Sequence, residues 1–137
     1  MRARHIANDF RILMLNPDNR WEYMGVMGKW AAPGQIVTNY AAGGRPISLR
    51  DALKRSKGLS DRQCRNIEKK MIRIGYQAAR AFSRRYKDVR KLGIDVAIDQ
   101  NLRIWILEPN TSPWHNLFKS HRNYKTILKY FERIEKK

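Results

Sequence analysis

The chain has 137 residues, 42% hydrophobic and 10% aromatic, with 29 Lys and Arg against 12 Asp and Glu for a formal net charge of +17. Such a length and apolar content fit one compact domain with its own core and exclude a disordered polymer; no apolar run approaches the roughly 20 residues of a membrane-crossing helix. The single cysteine, Cys64, excludes an internal disulfide and a thiolate metal cage, and its expected role is a thiol in a helix core.

The basic opening MRARHIANDFR lacks the apolar block of a secretory signal, so a soluble, cytoplasmic protein is expected. Residues 8 to 15, NDFRILML, alternate loosely and end at the turn NPDNR. The run WEYMGVMGKW then resumes an extended pattern, which predicts a hairpin. The loop AAPGQ leads to a further extended run, IVTNY, and AAGGRP breaks the chain again. Strands with short turns are expected up to residue 48.

At Ser60 the period changes. Ser60 and Gln63 form a capping box, and Cys64, Ile67, Met71, Ile74, Ala78 and Phe82 follow at spacings of three and four, so an amphipathic helix is predicted over about residues 60 to 86. Its other face carries Arg62, Arg65, Lys69, Lys70, Arg73, Arg80 and Arg84. Residues 50 to 91 hold 15 Lys or Arg against 4 Asp or Glu, a surplus of 11 of the 17 charges. This face is either an ordinary solvated surface or a polyanion-binding one. Nucleic acid, phosphorylated small molecules, an acidic protein or an acidic segment of the same protein would each satisfy it. No zinc-finger spacing, basic zipper or common RNA-module signature is present.

A second hairpin is predicted in GIDVAIDQNLRIWILEPN, residues 93 to 110, where two apolar runs flank a polar turn. Alternation places Asp95, Ala97 and Asp99 on one side and Ile94, Val96 and Ile98 on the other. Likewise Ile104, Ile106, Glu108 and Asn110 share a side, with Trp105 and Leu107 opposite. With Asn101 and Leu102 at the tip, Asp95 falls across from Glu108. Opposed carboxylates repel unless something positive lies between them. A hard cation such as Mg²⁺, which takes one or two carboxylates and fills its remaining positions with water and phosphate oxygens, suits the place. An ion pair with one of the many Lys and Arg side chains is the alternative. A shorter helix closes the chain, with Tyr124, Ile127, Leu128, Phe131 and Ile134 on its apolar stripe. His5, His115 and His121 form no known ligand spacing, and His115 reads as a surface or loop-packing residue.

D-x-x-x-D, followed by E-x-N-T-x-P with its Glu thirteen residues after the first Asp, resembles the metal-binding end of the ATP-grasp superfamily. The wider order DFR, W, TN, GG, LGID, LEPNT is most similar to the endospore-coat-associated ATP-grasp proteins of the YheC/YheD type, over nearly the whole chain from about residue 8. By this resemblance Asp95, Glu108 and Asn110 hold the magnesium that bridges ATP phosphates. Arg11 meets phosphate or a substrate carboxylate, Asn39 approaches the phosphates or the acyl group, and Gly43 and Gly44 shape the adjoining loop. Lys29 stands where an Arg is expected and offers a point charge in place of a planar fork.

The resemblance implies carboxylate–amine ligase-like chemistry with ATP and Mg²⁺ as cofactors, an unidentified carboxylate and amine as substrates, and an association with the spore coat; no membrane partner is expected, from the lack of a long apolar run. The lobe that covers the adenine precedes the matched region in such proteins. The expectation is therefore one domain over residues 1–137, the C-terminal lobe of an ATP-grasp fold, completed by a missing N-terminal lobe or a partner chain. A non-catalytic basic binding protein or coat component on the same fold is the second expectation. The fold class that follows is α+β: an antiparallel sheet of about five strands, with two main helices packed on one face. The apolar hairpin residues Ile94, Val96, Ile98, Trp105 and Leu107 are expected against the 60 to 86 helix.

Overall fold

The computed structural model describes residues 6–30 and 45–136, with side chains described for 9–28 and 45–136. Strands β1 (Ile6–Leu15), β2 (Glu22–Trp30), β3 (Arg45–Ser48), β4 (Lys91–Ile98) and β5 (Ile104–Asn110) form one antiparallel sheet in the order β3-β2-β1-β4-β5. The α+β class, the five strands and both predicted hairpins are as expected. The run IVTNY lies outside the described residues.

The helix predicted from Ser60 is α2 (Asp61–Arg85). The backbone N–H of Gln63 donates to Ser60 Oγ at 3.2 Å, and that of Ser60 donates to Gln63 Oε1 at 2.9 Å, so two donors at the helix start are satisfied reciprocally. An unpredicted helix, α1 (Leu49–Lys57), precedes it. Its signals are present in the sequence: Ser48 accepts from the Asp51 N–H at its start, and Gly58 stops it in the left-handed region at φ 64°. The closing helix is α3 (Tyr124–Glu135), reached through a 3-10 turn at Asn116–Phe118.

β1 runs through the middle of the sheet, and its successive residues Ile12, Leu13, Met14 and Leu15 are all fully buried. A strand apolar at every position is covered on both faces. Phe10, Ile12 and Met14 join Val26, Leu92, Ile94, Val96 and Ile98 beneath α1 and α2, where Ala52, Leu53, Cys64, Ile67 and Met71 are buried. Leu13 and Leu15, with Met24 and Met27, meet Leu117, Phe118, Ile127 and Phe131 on the other face. The expectation of both main helices on one face is therefore corrected. α2 takes one face and α3 the other, because alternate side chains of β1 point to opposite sides and both sets are apolar. Gly75 lets α2 lie close to β1, since a Cβ there would come within 2.7 Å of Met14 Sδ.

The β4–β5 hairpin corrects a second expectation. Ile94, Val96 and Ile98 do enter the α2-side core, joined by Ile104, whereas Trp105 and Leu107 stay about half exposed. The tip is longer than a two-residue turn. Asp99 accepts from the backbone N–H groups of Asn101 and Arg103, and Leu102 takes a positive φ of 63°. Ile98 pairs with Ile104, Ala97 with Trp105 and Val96 with Ile106; the register then slips, so that Asp95 still meets Glu108. Leu107 is the extra residue of a β-bulge.

Candidate functional site

Three neighbouring strands each contribute one polar residue to a single row. Arg11 on β1 pairs with Asp95 on β4, and Asp95 pairs with Glu108 on β5. Paired residues in an antiparallel ladder share a face, so all three point to the side of the sheet away from α2. One pair further along, Leu13 lies beside Gly93 and Gly93 beside Asn110, which puts Asn110 on the same face. The predicted convergence of Asp95, Glu108 and Asn110 on one side of the hairpin is thus the backbone arrangement found, reached through the bulge at Leu107.

What spacing alone left open was the partner of Asp95. The Arg11 guanidinium grips it in a bidentate fork, Nε to Oδ1 at 2.8 Å and Nη2 to Oδ2 at 3.1 Å. Both side chains are mostly buried, at 22% and 28% exposure, so the contact is shielded from solvent more than a surface ion pair is. Gly93 is the seat for Arg11: a Cβ on it would lie 3.2 Å from Arg11 Cδ and 3.1 Å from Pro113 Cβ. The Gly of L-G-I-D and the Pro of N-T-x-P, two of the motif positions quoted above, therefore meet around the arginine. Asn110 Oδ1 accepts from the Ser112 N–H at 2.9 Å, which turns the chain out of β5. Glu108 is exposed and has no ion pair among the described residues.

The row lines a cleft of about 150 Å³ together with Asp9, Met27, Leu107 and Leu117. Met27 and Leu117 belong to the α3-side core, so the cleft opens where that core ends. Among the remaining predicted site residues, Lys29 lies on β2 opposite Pro46, near the far edge of the sheet. Asn39, Gly43 and Gly44 lie outside the described residues. His115 is a packing residue: its ring stacks on Trp114 at 4.3 Å and meets Phe131 edge-on, with the Tyr124 hydroxyl 3.0 Å from Nδ1. Burial, then the charge of Lys119, hold its pKa below the ordinary histidine value.

A family model described as YheC/D like ATP-grasp matches residues 2–136. The chain belongs to the YheC/D-like ATP-grasp family. A comparison with curated proteins finds no match. Membership makes this domain an ATP-grasp module, and ATP-grasp proteins in general use ATP with Mg²⁺ and are ligase-like.

The donor chemistry of the row fits such a cation. Among the described residues no three His, Cys, Asp or Glu side chains gather into a cage, so an ion here would draw on Asn110, water or phosphate oxygens beside the two carboxylates. An ionised carboxylate offers about four acceptor positions and the Arg11 fork takes two, leaving Asp95 able to accept more. The Gly93–Pro113 seat and the Leu107 bulge are the parts of this site that sequence reasoning missed. A lone glycine two residues before the Asp and a proline three after the Asn were the visible traces.

Proposed function

We propose that this ATP-grasp module binds magnesium–ATP on the face that carries Arg11, Asp95 and Glu108, as part of a cytoplasmic, spore-coat-associated carboxylate–amine ligase-like protein. The observation that carries the reading is the three-strand row Arg11–Asp95–Glu108, found inside a chain that matches the family along its length. Asp95, Glu108 and Asn110 would hold the magnesium, which when bound screens the charge of the β- and γ-phosphates. Arg11 holds Asp95 in place and aims a fixed positive charge along the same row, where a transferring phosphoryl group gains from it. Lys29, Asn39, Gly43 and Gly44 are the further residues assigned to nucleotide and substrate contact. In the reaction so proposed, a substrate carboxylate oxygen attacks the γ-phosphorus, ADP leaves, and an amine then displaces phosphate from the acyl phosphate to give an amide. No covalent nucleophile on the protein is needed.

A cleft of about 150 Å³ takes a phosphate-sized group but is well below the roughly 300 Å³ at which small-molecule pockets begin, so the rest of a nucleotide must be covered from elsewhere. We assign that role to an adenine-covering lobe, on a further segment or a partner chain. The expected outcome is weak, magnesium-dependent nucleotide binding by this chain and no ligase turnover. Robust ATP hydrolysis by the chain alone would overturn the division of labour.

One observation favours a second reading, a binding or structural protein without turnover: Asp95 already has its charge matched by Arg11. Nucleotide binding that is indifferent to magnesium would support that reading against the first.

A further inference from the structure

Two of the described strands carry four consecutive large apolar residues: ILML, residues 12–15 of β1, and IWIL, residues 104–107 of β5. A strand apolar on both faces is built to be covered on both. β1 is central and fully buried there, whereas β5 is the last strand of the sheet, with Trp105, Ile106 and Leu107 exposed by 54%, 58% and 52%. Trp105 pairs with Ala97 and so stands on the side of the Arg11–Asp95–Glu108 row; Ile106 pairs with Val96 and stands on the α2 side.

An edge strand presents backbone N–H and C=O groups that no neighbouring strand takes, and folded proteins blunt such edges with bulges, prolines or charged side chains. In β5 the bulge at Leu107 and Pro109 blunt only the far end. Residues 104–106 carry none of these devices and pair with β4 in unbroken register. Beside them on the α2 side runs a groove of about 680 Å³, with Ile74 and Ile104 as its apolar floor and Lys70, Arg73 and Arg103 around it. Neither Lys70 nor Arg73 has an ion pair among the described residues.

We propose that the β5 edge is a docking site for an extended acidic segment of a partner protein, which adds to the sheet as a further strand. Backbone hydrogen bonds to residues 104–106 hold it, its apolar side chains cover Ile106 and Trp105, and its carboxylates meet Lys70 and Arg73. Charge decides the occupant. A second copy joined through the same edge would bring two +17 chains together with both Lys70 and Arg73 pairs at the join, and such like-charge juxtaposition is unfavourable. The chain's own residues 1–5 and 31–44 hold no Asp or Glu to offer those cations. The inference stands apart from the magnesium–ATP reading, since neither the edge stretch 104–106 nor the groove uses Arg11, Asp95, Glu108 or Asn110.

The test is fluorescence anisotropy of a labelled peptide of alternating Glu and Val, about six residues long as strands commonly are, titrated with the chain in EDTA so that no magnesium-dependent binding contributes. Saturable binding is expected. A peptide of the same sequence N-methylated at alternate backbone nitrogens keeps every charge and should bind at least about tenfold more weakly, having lost its ladder donors. Ile106→Ser should cost roughly tenfold, whereas attraction by charge alone would leave its affinity unchanged. Lys70→Glu/Arg73→Glu should weaken binding far more than Lys125→Glu/Lys129→Glu, an equal reversal on α3. All five positions are exposed, so each variant should keep the fold. Any of five results would overturn the proposal: no saturable binding, equal binding of the methylated peptide, unchanged affinity in Ile106→Ser, equal loss in the two double reversals, or displacement of the peptide by a single-stranded oligonucleotide more readily than by unlabelled peptide. A dimer of the chain alone in sedimentation, lost in Ile106→Ser, would assign the edge to a second copy and overturn it as well.

Discussion

The two faces of the sheet are built from the same strands and do different work. On the α2 face, apolar side chains from β1, β2 and β4 are sealed under two capped helices and form a continuous core. On the α3 face the core covers only part of the sheet, around Leu13, Leu15, Met24 and Met27. Past its edge, the same strand positions carry Arg11, Asp95 and Glu108. Covering one face fully supplies the stability that lets the other be left partly open and charged, because each β1 residue serves only the side it points to.

The comparison is broken most strongly from the closed side. Met71 is fully buried between α2 and the sheet, so Met71→Ala should lower unfolding free energy by about 2–5 kcal/mol in a denaturant titration, as large-to-small core changes do. A loss under about 1 kcal/mol would mean that this face is loosely packed.

On the open side the effect should be smaller and should reside in one pair. Asp95→Ala leaves the Arg11 guanidinium without its fork and should cost about 1–3 kcal/mol. In a double-mutant cycle with Arg11→Met, much of that loss should disappear, since removing both partners leaves no orphaned charge. Strict additivity would show that the pair contributes nothing by its contact.

The smallest expected effect sharpens the border between the faces. His121 has its pKa held below the ordinary value of 6.5, chiefly by burial and then by the charge of Arg122, with Glu68 opposing. Its Nδ1 accepts from the Asn123 N–H, so the neutral ring is the form the fold prefers. A depressed histidine contributes stability that is present above the unfolded pKa and lost as pH falls through 6.5 toward the folded value. The stability difference between wild type and His121→Asn should therefore shrink on acidification below about pH 6.5. A difference that is flat across that range would assign His121 a packing role alone.

Much of the fold was legible where the signal is local. The Ser60–Gln63 capping box and the three-and-four spacing located α2, and the polar Asp99–Asn101 stretch between apolar runs located the β4–β5 hairpin. The face that α3 covers was not legible, because an apolar stripe says that a helix is covered and not by what. The uninterrupted ILML of β1 held the missing information. α1 was missed although Ser48 and Gly58 bracket it, since its nine residues, LRDALKRSK, give only a short stretch with three apolar residues, Leu49, Ala52 and Leu53.

At the site, the facing of Asp95 and Glu108 could be read from one hairpin. The Arg11–Asp95 fork could not, because it spans 84 positions and depends on β4 choosing β1 as its neighbour. The bulge at Leu107 shows a different limit. The expected tip and the observed one differ, and an extra residue midway restores the pairing that a simple count had reached.

The most direct test of the magnesium–ATP assignment is calorimetric titration of this chain with ATP, with and without magnesium, for wild type, Glu108→Gln and His115→Ala. Weak magnesium-dependent binding that is lost in Glu108→Gln and kept in His115→Ala is the predicted result. Equal magnesium-dependent binding by wild type and Glu108→Gln would contradict it.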